Sequence, residues 1–270
     1  MRGVLITMPN FNGVGAGQTA TVNLPADGTY KKLDLRYTPG GTAANQATME
    51  ADIEEIRLRI EGKTVRTYTA AELNKINATY GKTFKAGHLP IYFAEPWREG
   101  ATQVEAYAWG MADITSFQVE VDIAAGATAP RLAMEAIWSS ARQNMGVIKK
   151  TRRYNLSVTA TGDNTWNPPK EEAITAFHFQ TTDISNIKVL RDNEERVNVS
   201  PESVHERLDD NGLTAQAGWT QVIFDATGDL PDALPMKKPD GSPVQDLRVT
   251  LTMSAATSHN ILMETIGLRD

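Results

Sequence analysis

Four histidines and a complete lack of cysteine limit the metal and nucleophile chemistry that this 270-residue chain can support. His88, His178, His205 and His259 are far apart in the sequence, and no two of them form the closely spaced pair with which a cupin binds its metal. The absence of cysteine excludes disulfides and thiolate metal sites. We therefore expect the histidines to be packing or surface residues and disfavour a bicupin, an enzyme built from two cupin jelly rolls.

Other catalytic signatures are also missing from the sequence. It contains no G-x-S-x-G, no phosphate-binding glycine-rich loop before a helix and no H-E-x-x-H. Its 33 acidic residues do not single out a glycosidase pair. The run Asp209-Asp210-Asn211-Gly212 offers oxygen ligands for calcium, but the end of a helix with a glycine stop explains it better. We predict no catalytic residues and no required cofactor, and the sequence by itself assigns no metal site.

One basic cluster stands out in a chain whose formal net charge is −6. It comprises Lys149, Lys150, Arg152 and Arg153. Such a cluster can contact lipid phosphates, a genome or acidic groups of a partner, and the alternative is a solvated linker. The acidic net charge argues against a nucleic-acid coat that neutralises phosphates along its whole face, and we expect no sequence-specific nucleic-acid binding.

Apolar residues recur mainly at every second position, which is the spacing of strands. Leu33, Leu35 and Tyr37 share one side of a strand, and the ranges 56–60 and 117–123 alternate in the same way. Turn signals rich in glycine, aspartate and proline separate these runs. The first nine residues end at Pro9 and favour a strand over a signal peptide, and no apolar run approaches the roughly 18 residues of a membrane span.

The second half of the chain repeats the first. Asp52–Leu58 corresponds to Asp183–Val189 at an offset of 131, and Ile91–Phe93 corresponds to Val222–Phe224 at the same offset. Leu33 and Leu35 match Phe177 and Phe179 at an offset of 144, because loop lengths differ between the halves. An ordered series of matches of this kind indicates an internal duplication.

Each half contains one short helix at the equivalent place. Thr69-Ala70-Ala71-Glu72 is a capping box, and in the second half Ser200 is the expected cap with Pro201 in the first helical position. Gly81 and Gly212 are the expected left-handed stops. These signals predict helices over about 70–79 and 201–209.

Strands, turns and helices together predict an all-β chain of two tandem eight-stranded jelly rolls, each with a short inserted helix. We place the first jelly roll at residues 1–140, a basic linker at 141–153 and the second jelly roll at 154–270. The five tryptophans are expected to be core or subunit-interface anchors rather than a sugar-binding platform: Trp97, Trp109, Trp138, Trp166 and Trp219.

Several segments resemble the major capsid protein of corticoviruses, which are tailless bacteriophages with an internal membrane. The similarity covers Gly17–Ala20, Leu24-Pro25, Tyr30–Tyr37 and Ile56–Lys63 with Thr67-Tyr68, and it returns at Asp246–Val249. It is clear over roughly the first 90 residues and patchy after them. None of these segments is a catalytic signature.

The resemblance implies a major capsid protein in the virion shell, assembled in the host cytoplasm. It implies two jelly rolls per chain, a homotrimer that forms a pseudo-hexameric tile, neighbouring capsomers in an icosahedral lattice, and contacts with an internal membrane or with minor capsid and membrane proteins. It also implies calcium in the capsomer lattice. A lectin-like carbohydrate-binding module is the alternative function, and a bicupin enzyme is the less favoured one.

Overall fold

The computed structural model describes residues 3–269, and the chain divides into two compact units. The first unit extends to Lys150 and also includes Leu268 and Arg269, and the second unit is Thr151–Gly267. Residues 1, 2 and 270, at the ends of the predicted jelly rolls, lie outside the described part.

The described part of the first unit contains nine strands and three α-helices. The strands are β1 (Val4–Thr7), β2 (Thr19–Leu24), β3 (Thr29–Tyr37), β4 (Ile53–Ile60), β5 (Lys63–Tyr68), β6 (His88–Tyr92), β7 (Trp109–Gly110), β8 (Phe117–Ile123) and β9 (Leu132–Ser139). The helices are α1 (Gln46–Asp52), α2 (Ala70–Thr79) and α3 (Ala101–Val104), and a 3-10 turn covers Pro39–Gly41.

These strands form two antiparallel sheets that pack face to face. One has the order β1-β9-β3-β6, with β7 added beside β3, and the other has the order β2-β8-β4-β5. The alternation predicted at 33–37, 56–60 and 117–123 places every second side chain in the core between the sheets. Aromatic rings join the two sheets there, with Tyr30 5.4 Å from Phe117 and Trp109 5.3 Å from Phe117 between ring centroids.

The second unit contains eight strands and one α-helix. The strands are β10 (Ile148–Leu156), which begins before the division, β11 (Gly162–Trp166), β12 (Ala173–Phe179), β13 (Ile184–Arg191), β14 (Glu194–Val199), β15 (Thr220–Ile223), β16 (Leu247–Met253) and β17 (His259–Gly267). The helix is α4 (Pro201–Asp210), and a 3-10 turn covers Leu230–Asp232. A core cluster that includes Phe177, Phe179, Val249 and Met263 lies between its sheets.

The two units repeat one strand order. The sheets of the second unit run β10-β17-β12-β15 and β11-β16-β13-β14, which matches the sheets of the first unit position by position. Helix α2 follows β5 in the first unit, and α4 follows β14, the counterpart of β5, in the second. The predicted all-β double jelly roll with one inserted helix at equivalent places is therefore confirmed.

The two inserted helices begin in different ways. The Thr69 hydroxyl accepts from the Glu72 N–H at 3.0 Å, and the Glu72 carboxylate accepts from the Thr69 N–H at 2.7 Å, so the predicted capping box is present. Ser200 has the extended backbone of a cap, with Pro201 next to it, but its hydroxyl makes no capping hydrogen bond. Gly81 and Gly212 both have φ of +70°, as expected of left-handed stops.

The predicted basic linker at 141–153 is wrong in its second part. Ile148–Leu156 is the strand β10, which pairs with β17 in a sheet of the second unit. Charge suggested a solvated segment, whereas Ile148, Thr151, Tyr154 and Leu156 supply the β-branched and apolar residues of a strand.

Candidate assembly surfaces

The outer face of β3 and β6 in the first unit carries a set of basic side chains. Leu33, Leu35, Leu89 and Ile91 point into the core, so the residues between them point away from it. Two basic residues from the loop after α2 join this set. We call the group the basic sheet face, and its members are Lys32, Arg36, Lys82, Lys85 and His88.

Two carboxylates balance part of this charge. Asp34 Oδ2 lies 3.2 Å from Lys32 Nζ and 3.1 Å from His88 Nδ1, and Glu135 Oε1 lies 3.0 Å from Arg36 Nη1. A cavity of about 340 Å³ opens between Lys32, Asp34 and His88 and the loop after α2. Lys82 and Lys85 line it without an acidic neighbour of their own among the ion pairs of the described residues, so the cavity is positively charged.

The same face of the second unit is buried. Asp34 lies opposite Pro90 on β6, and its counterpart His178 lies opposite Gln221 on β15. His178, Gln221 and their neighbours Ala176, Leu262 and Glu264 are all buried, whereas Lys32, Arg36, His88 and Tyr92 are partly exposed. The duplicated sheet face is therefore covered in one unit and open in the other.

The inserted helices show the opposite pattern. In the first unit α2 is buried nearly all round, including its polar residues Glu72, Asn74 and Asn77. In the second unit only three residues of α4 are buried: Pro201, Val204 and Leu208. Four acidic residues of α4 are exposed, and we call them the acidic helix face: Glu202, Glu206, Asp209 and Asp210.

The last residue of the strand before each helix differs in exposure in the same way as the helix. Tyr68, the last residue of β5, is 3 % exposed, whereas its counterpart Val199 at the end of β14 is 37 % exposed. At the start of α4, the Ser200 hydroxyl contacts the Glu202 carboxylate, and this hydrogen bond lowers the pKa of Glu202. The surface around α4 is thus open, acidic and marked by one exposed apolar side chain.

The outer face of the other sheet of the first unit carries an ion network. Arg57 contacts Asp122 (Nη1–Oδ2 2.5 Å), Glu120 (Nε–Oε2 2.9 Å) and Glu55 (Nη1–Oε2 2.6 Å), and Arg59 also contacts Glu120. The Arg57 hydrogen bond holds the pKa of Asp122 below its usual range. At the equivalent place in the second unit, the Thr165 and Thr250 hydroxyls are 3.0 Å apart, and Lys188, the counterpart of Arg57, lies 3.4 Å from Glu195. The charges of Arg57 and Arg59 are balanced by carboxylates within their own sheet.

The predicted basic cluster does not form a single exposed patch. Lys149 is 6 % exposed, and its Nζ lies 2.6 Å from Oε1 of the buried Glu95. Lys150 is buried, Arg153 is partly buried, and Arg152 is exposed. No local pattern indicates this burial, because the partner Glu95 is 54 residues away from Lys149.

The Glu95 site is a compact buried ion cluster. Arg98 Nε lies 2.5 Å from Glu95 Oε2, and Arg66 donates to the backbone oxygen of Lys149 at 2.7 Å. Burial raises the pKa of Glu95, but Lys149 and Arg98 outweigh burial and hold that pKa below its ordinary value. The arrangement stabilises the fold and offers no reactive group.

The remaining candidate residues are distributed through the fold. His178 and His259 are buried, and His88 and His205 are partly exposed. Trp109 and Trp219 are buried, and Trp97, Trp138 and Trp166 are partly buried. Across residues 3–269, no three side chains of histidine, aspartate or glutamate come together as a metal site. No helix in the described part of the chain has the length and apolar character of a membrane span.

Comparison with protein families assigns both halves. The profile of the viral coat protein P2 N-terminal domain matches residues 5–141, and that of the viral coat protein P2 C-terminal domain matches residues 148–268. The chain belongs to the viral coat protein P2 family. As a coat protein of this family it is a structural component of the virion shell, and the predicted resemblance to corticovirus capsid proteins is confirmed.

A curated relative and several solved structures extend this assignment. The major capsid protein P2 of Pseudoalteromonas phage PM2 is 23 % identical over an alignment 279 positions long, which covers 98 % of this chain and 96 % of the relative. The crystal structure of major capsid protein P2 from bacteriophage PM2 superposes with a TM-score of 0.89 at 19 % identity, covering 100 % of this chain and 98 % of that one.

More distant viruses share the fold. The major capsid protein of STIV, the Sulfolobus Turreted Icosahedral Virus, gives a TM-score of 0.66 at 11 % identity and covers 100 % and 98 % of the two chains. The capsid of PBCV-1 gives 0.61 at 10 % identity and covers 99 % and 96 %. Membership of the coat protein P2 family supports neither the lectin nor the bicupin alternative, and it agrees with the prediction that the chain is not an enzyme.

Proposed function

We propose that this coat protein is the major capsid protein of its virus and that three copies associate into a pseudo-hexameric tile. The observation that carries the proposal is the repetition of one strand order in both units. Three chains with two equivalent jelly rolls supply six similar units, which can be arranged in a closed ring. The relative that covers nearly the whole chain is itself a major capsid protein.

The proposal extends to the partners of the tile. Tiles of this kind would contact neighbouring capsomers in an icosahedral shell. The corticovirus resemblance supports a further contact with an internal membrane, or with minor capsid and membrane proteins, beneath the tiles. Arg152 is the exposed member of the basic cluster and would contribute most to the binding of anionic lipid. Lys149 would contribute little, because its ammonium group contacts Glu95.

The resemblance alone supports calcium in the lattice. Asp209 and Asp210 are exposed at the end of α4, and among the described residues no three histidine, aspartate or glutamate side chains come together. A calcium site would therefore also need backbone or amide oxygens, or carboxylates of a second copy.

Measurement of mass in solution tests the proposed trimer. We expect native mass spectrometry and analytical ultracentrifugation to give 3 × 29.5 = 88.5 kDa. Negative-stain images of that species should have a hexagonal outline. A monomer at all accessible concentrations would contradict the trimer, and a monomer that binds glycans on an array would favour the lectin alternative.

Flotation with vesicles tests the membrane contact. We expect the trimer to float with vesicles that contain about 30 % anionic lipid and to sediment with neutral vesicles, because basic residues near a membrane attract anionic headgroups. Arg152→Glu should reduce flotation. Lys63→Glu, at another exposed lysine, is the matched control and should leave flotation unchanged. Equal flotation of both variants and the unmodified chain would contradict a lipid contact through Arg152.

A further inference from the structure

The two units expose different surfaces of the same duplicated fold. The first unit has an open sheet face and a covered helix, and the second unit has a covered sheet face and an open helix. One open surface of each type therefore remains on every copy.

From this pattern we propose that the acidic helix face of one copy docks on the basic sheet face of a second copy. This contact deepens the proposed trimer and rests on it, since it names the surfaces through which the copies would associate. The two surfaces lie on different units, so the contact is head-to-tail rather than two-fold. Head-to-tail contacts close into rings when the rotation allows, and three copies make the ring that the proposed tile needs.

Charge supports the pairing of these two surfaces. On the acidic helix face four carboxylates stand beside one cation, Arg207, which gives −4 + 1 = −3. On the other side, Lys32, Arg36, Lys82 and Lys85 outweigh Asp34 and Glu135, which gives +4 − 2 = +2 before His88 is counted. Opposite potentials of this kind steer association and fix register.

Shape and apolar contact support it as well. The cavity of about 340 Å³ beside Lys82 and Lys85 has room for acidic side chains of a helix. Tyr92 and Pro90 also line this cavity and are partly exposed. On the helix side, Val199 is the exposed apolar residue next to α4. An apolar centre with a charged rim is the usual anatomy of a protein interface.

Reversal of charge on each face tests the contact. One variant carries Lys82→Glu and Lys85→Glu, the second carries Glu206→Lys and Asp209→Lys, and the third combines all four changes. We expect the dissociation constant of the trimer to rise at least about tenfold in each of the first two variants and to recover in the third. The changed side chains are exposed or partly exposed, so circular dichroism and thermal unfolding should match those of the unmodified chain.

The control variant carries Lys63→Glu and Lys237→Glu, which reverse two exposed lysines outside both faces. It should remain trimeric. If the unmodified chain is a monomer, the proposed trimer itself is wrong. If the unmodified chain is a trimer and both single-face variants remain equally stable trimers, the trimer stands and this contact is wrong. Failure of the combined variant to recover would also overturn it.

Carbodiimide cross-linking gives an independent measurement. This reagent joins an amine to a carboxylate in direct contact. In a trimer assembled from ¹⁴N- and ¹⁵N-labelled copies, we expect mixed-isotope cross-links between Lys82 or Lys85 and the carboxylates of α4. Cross-links of these lysines confined to single-isotope peptides would contradict the contact between copies.

Discussion

At the scale of single residues, Glu95 is the carboxylate on which the buried ion cluster depends. It contacts Lys149 Nζ at 2.6 Å and Arg98 Nε at 2.5 Å, and all three side chains are buried. Glu95→Gln keeps the shape but leaves two buried positive charges without this carboxylate. We expect the free energy of unfolding to fall by about 3–5 kcal/mol, measured by urea denaturation. An exposed Glu54→Gln control should change it by less than about 0.5 kcal/mol.

The same residue predicts a dependence of stability on pH. The pKa of Glu95 is held below its ordinary value of 4.5, so its ionised form contributes stability that is fully present above that value. This contribution is lost as the pH falls through the lowered pKa of the folded state. Between neutral pH and acid, the unmodified chain should therefore lose more unfolding free energy than Glu95→Gln. Parallel pH profiles of the two proteins would show that Glu95 is not linked to folding in this way.

At the scale of elements, the two inserted helices provide a paired comparison of capping. Thr69→Ala removes an observed hydrogen bond to the Glu72 N–H, so we expect it to cost about 1 kcal/mol. Ser200→Ala removes a hydroxyl that makes no capping bond, so we expect less than about 0.5 kcal/mol. Urea unfolding measures both, and Thr69→Ser, which keeps the hydroxyl, serves as the control. Equal losses at the two positions would contradict the difference in capping.

Local sequence signals predicted the strands and the inserted helices well, because each depends on residues near in the chain. Alternation located β4 and β8, and the capping box located α2. The nature of β10 was missed, since its pairing with β17 joins segments about 100 residues apart and the lysines of β10 suggested solvent. The hydroxyl of Ser200 was also misjudged, because residue type cannot tell whether it contacts the backbone or Glu202.

At the scale of the whole molecule, the duplication was visible in the sequence but the difference between the units was not. Matches such as Leu33 with Phe177 record core positions, where both units need apolar side chains. Outward positions diverged, so Lys32 has Ala176 as its counterpart, and only the structure reveals that Lys32 is partly exposed and Ala176 is fully buried. The candidate assembly surfaces therefore follow from burial, which no spacing rule encodes.

A higher salt concentration should weaken the association of the copies and leave the folding of each copy nearly unchanged. Raising NaCl from about 0.1 M to about 1 M shortens the Debye length from about 10 Å to about 3 Å, which screens exposed charges more strongly than apolar burial. The proposed contact joins exposed charges, so the dissociation constant of the trimer should rise at least about tenfold. Each unit is held by apolar cores such as Phe177, Phe179 and Val249, so thermal unfolding should change little.

The variant with Lys82→Glu and Lys85→Glu provides the control for this measurement, because its faces no longer attract each other. Its weaker trimer should respond to salt much less than that of the unmodified chain, or should even be strengthened as repulsion is screened. The combined variant restores opposite charges with the signs exchanged and should recover the original salt response. A trimer of the unmodified chain whose dissociation constant is the same at both salt concentrations would mean that apolar burial, rather than the acidic helix face and the basic sheet face, holds the copies together.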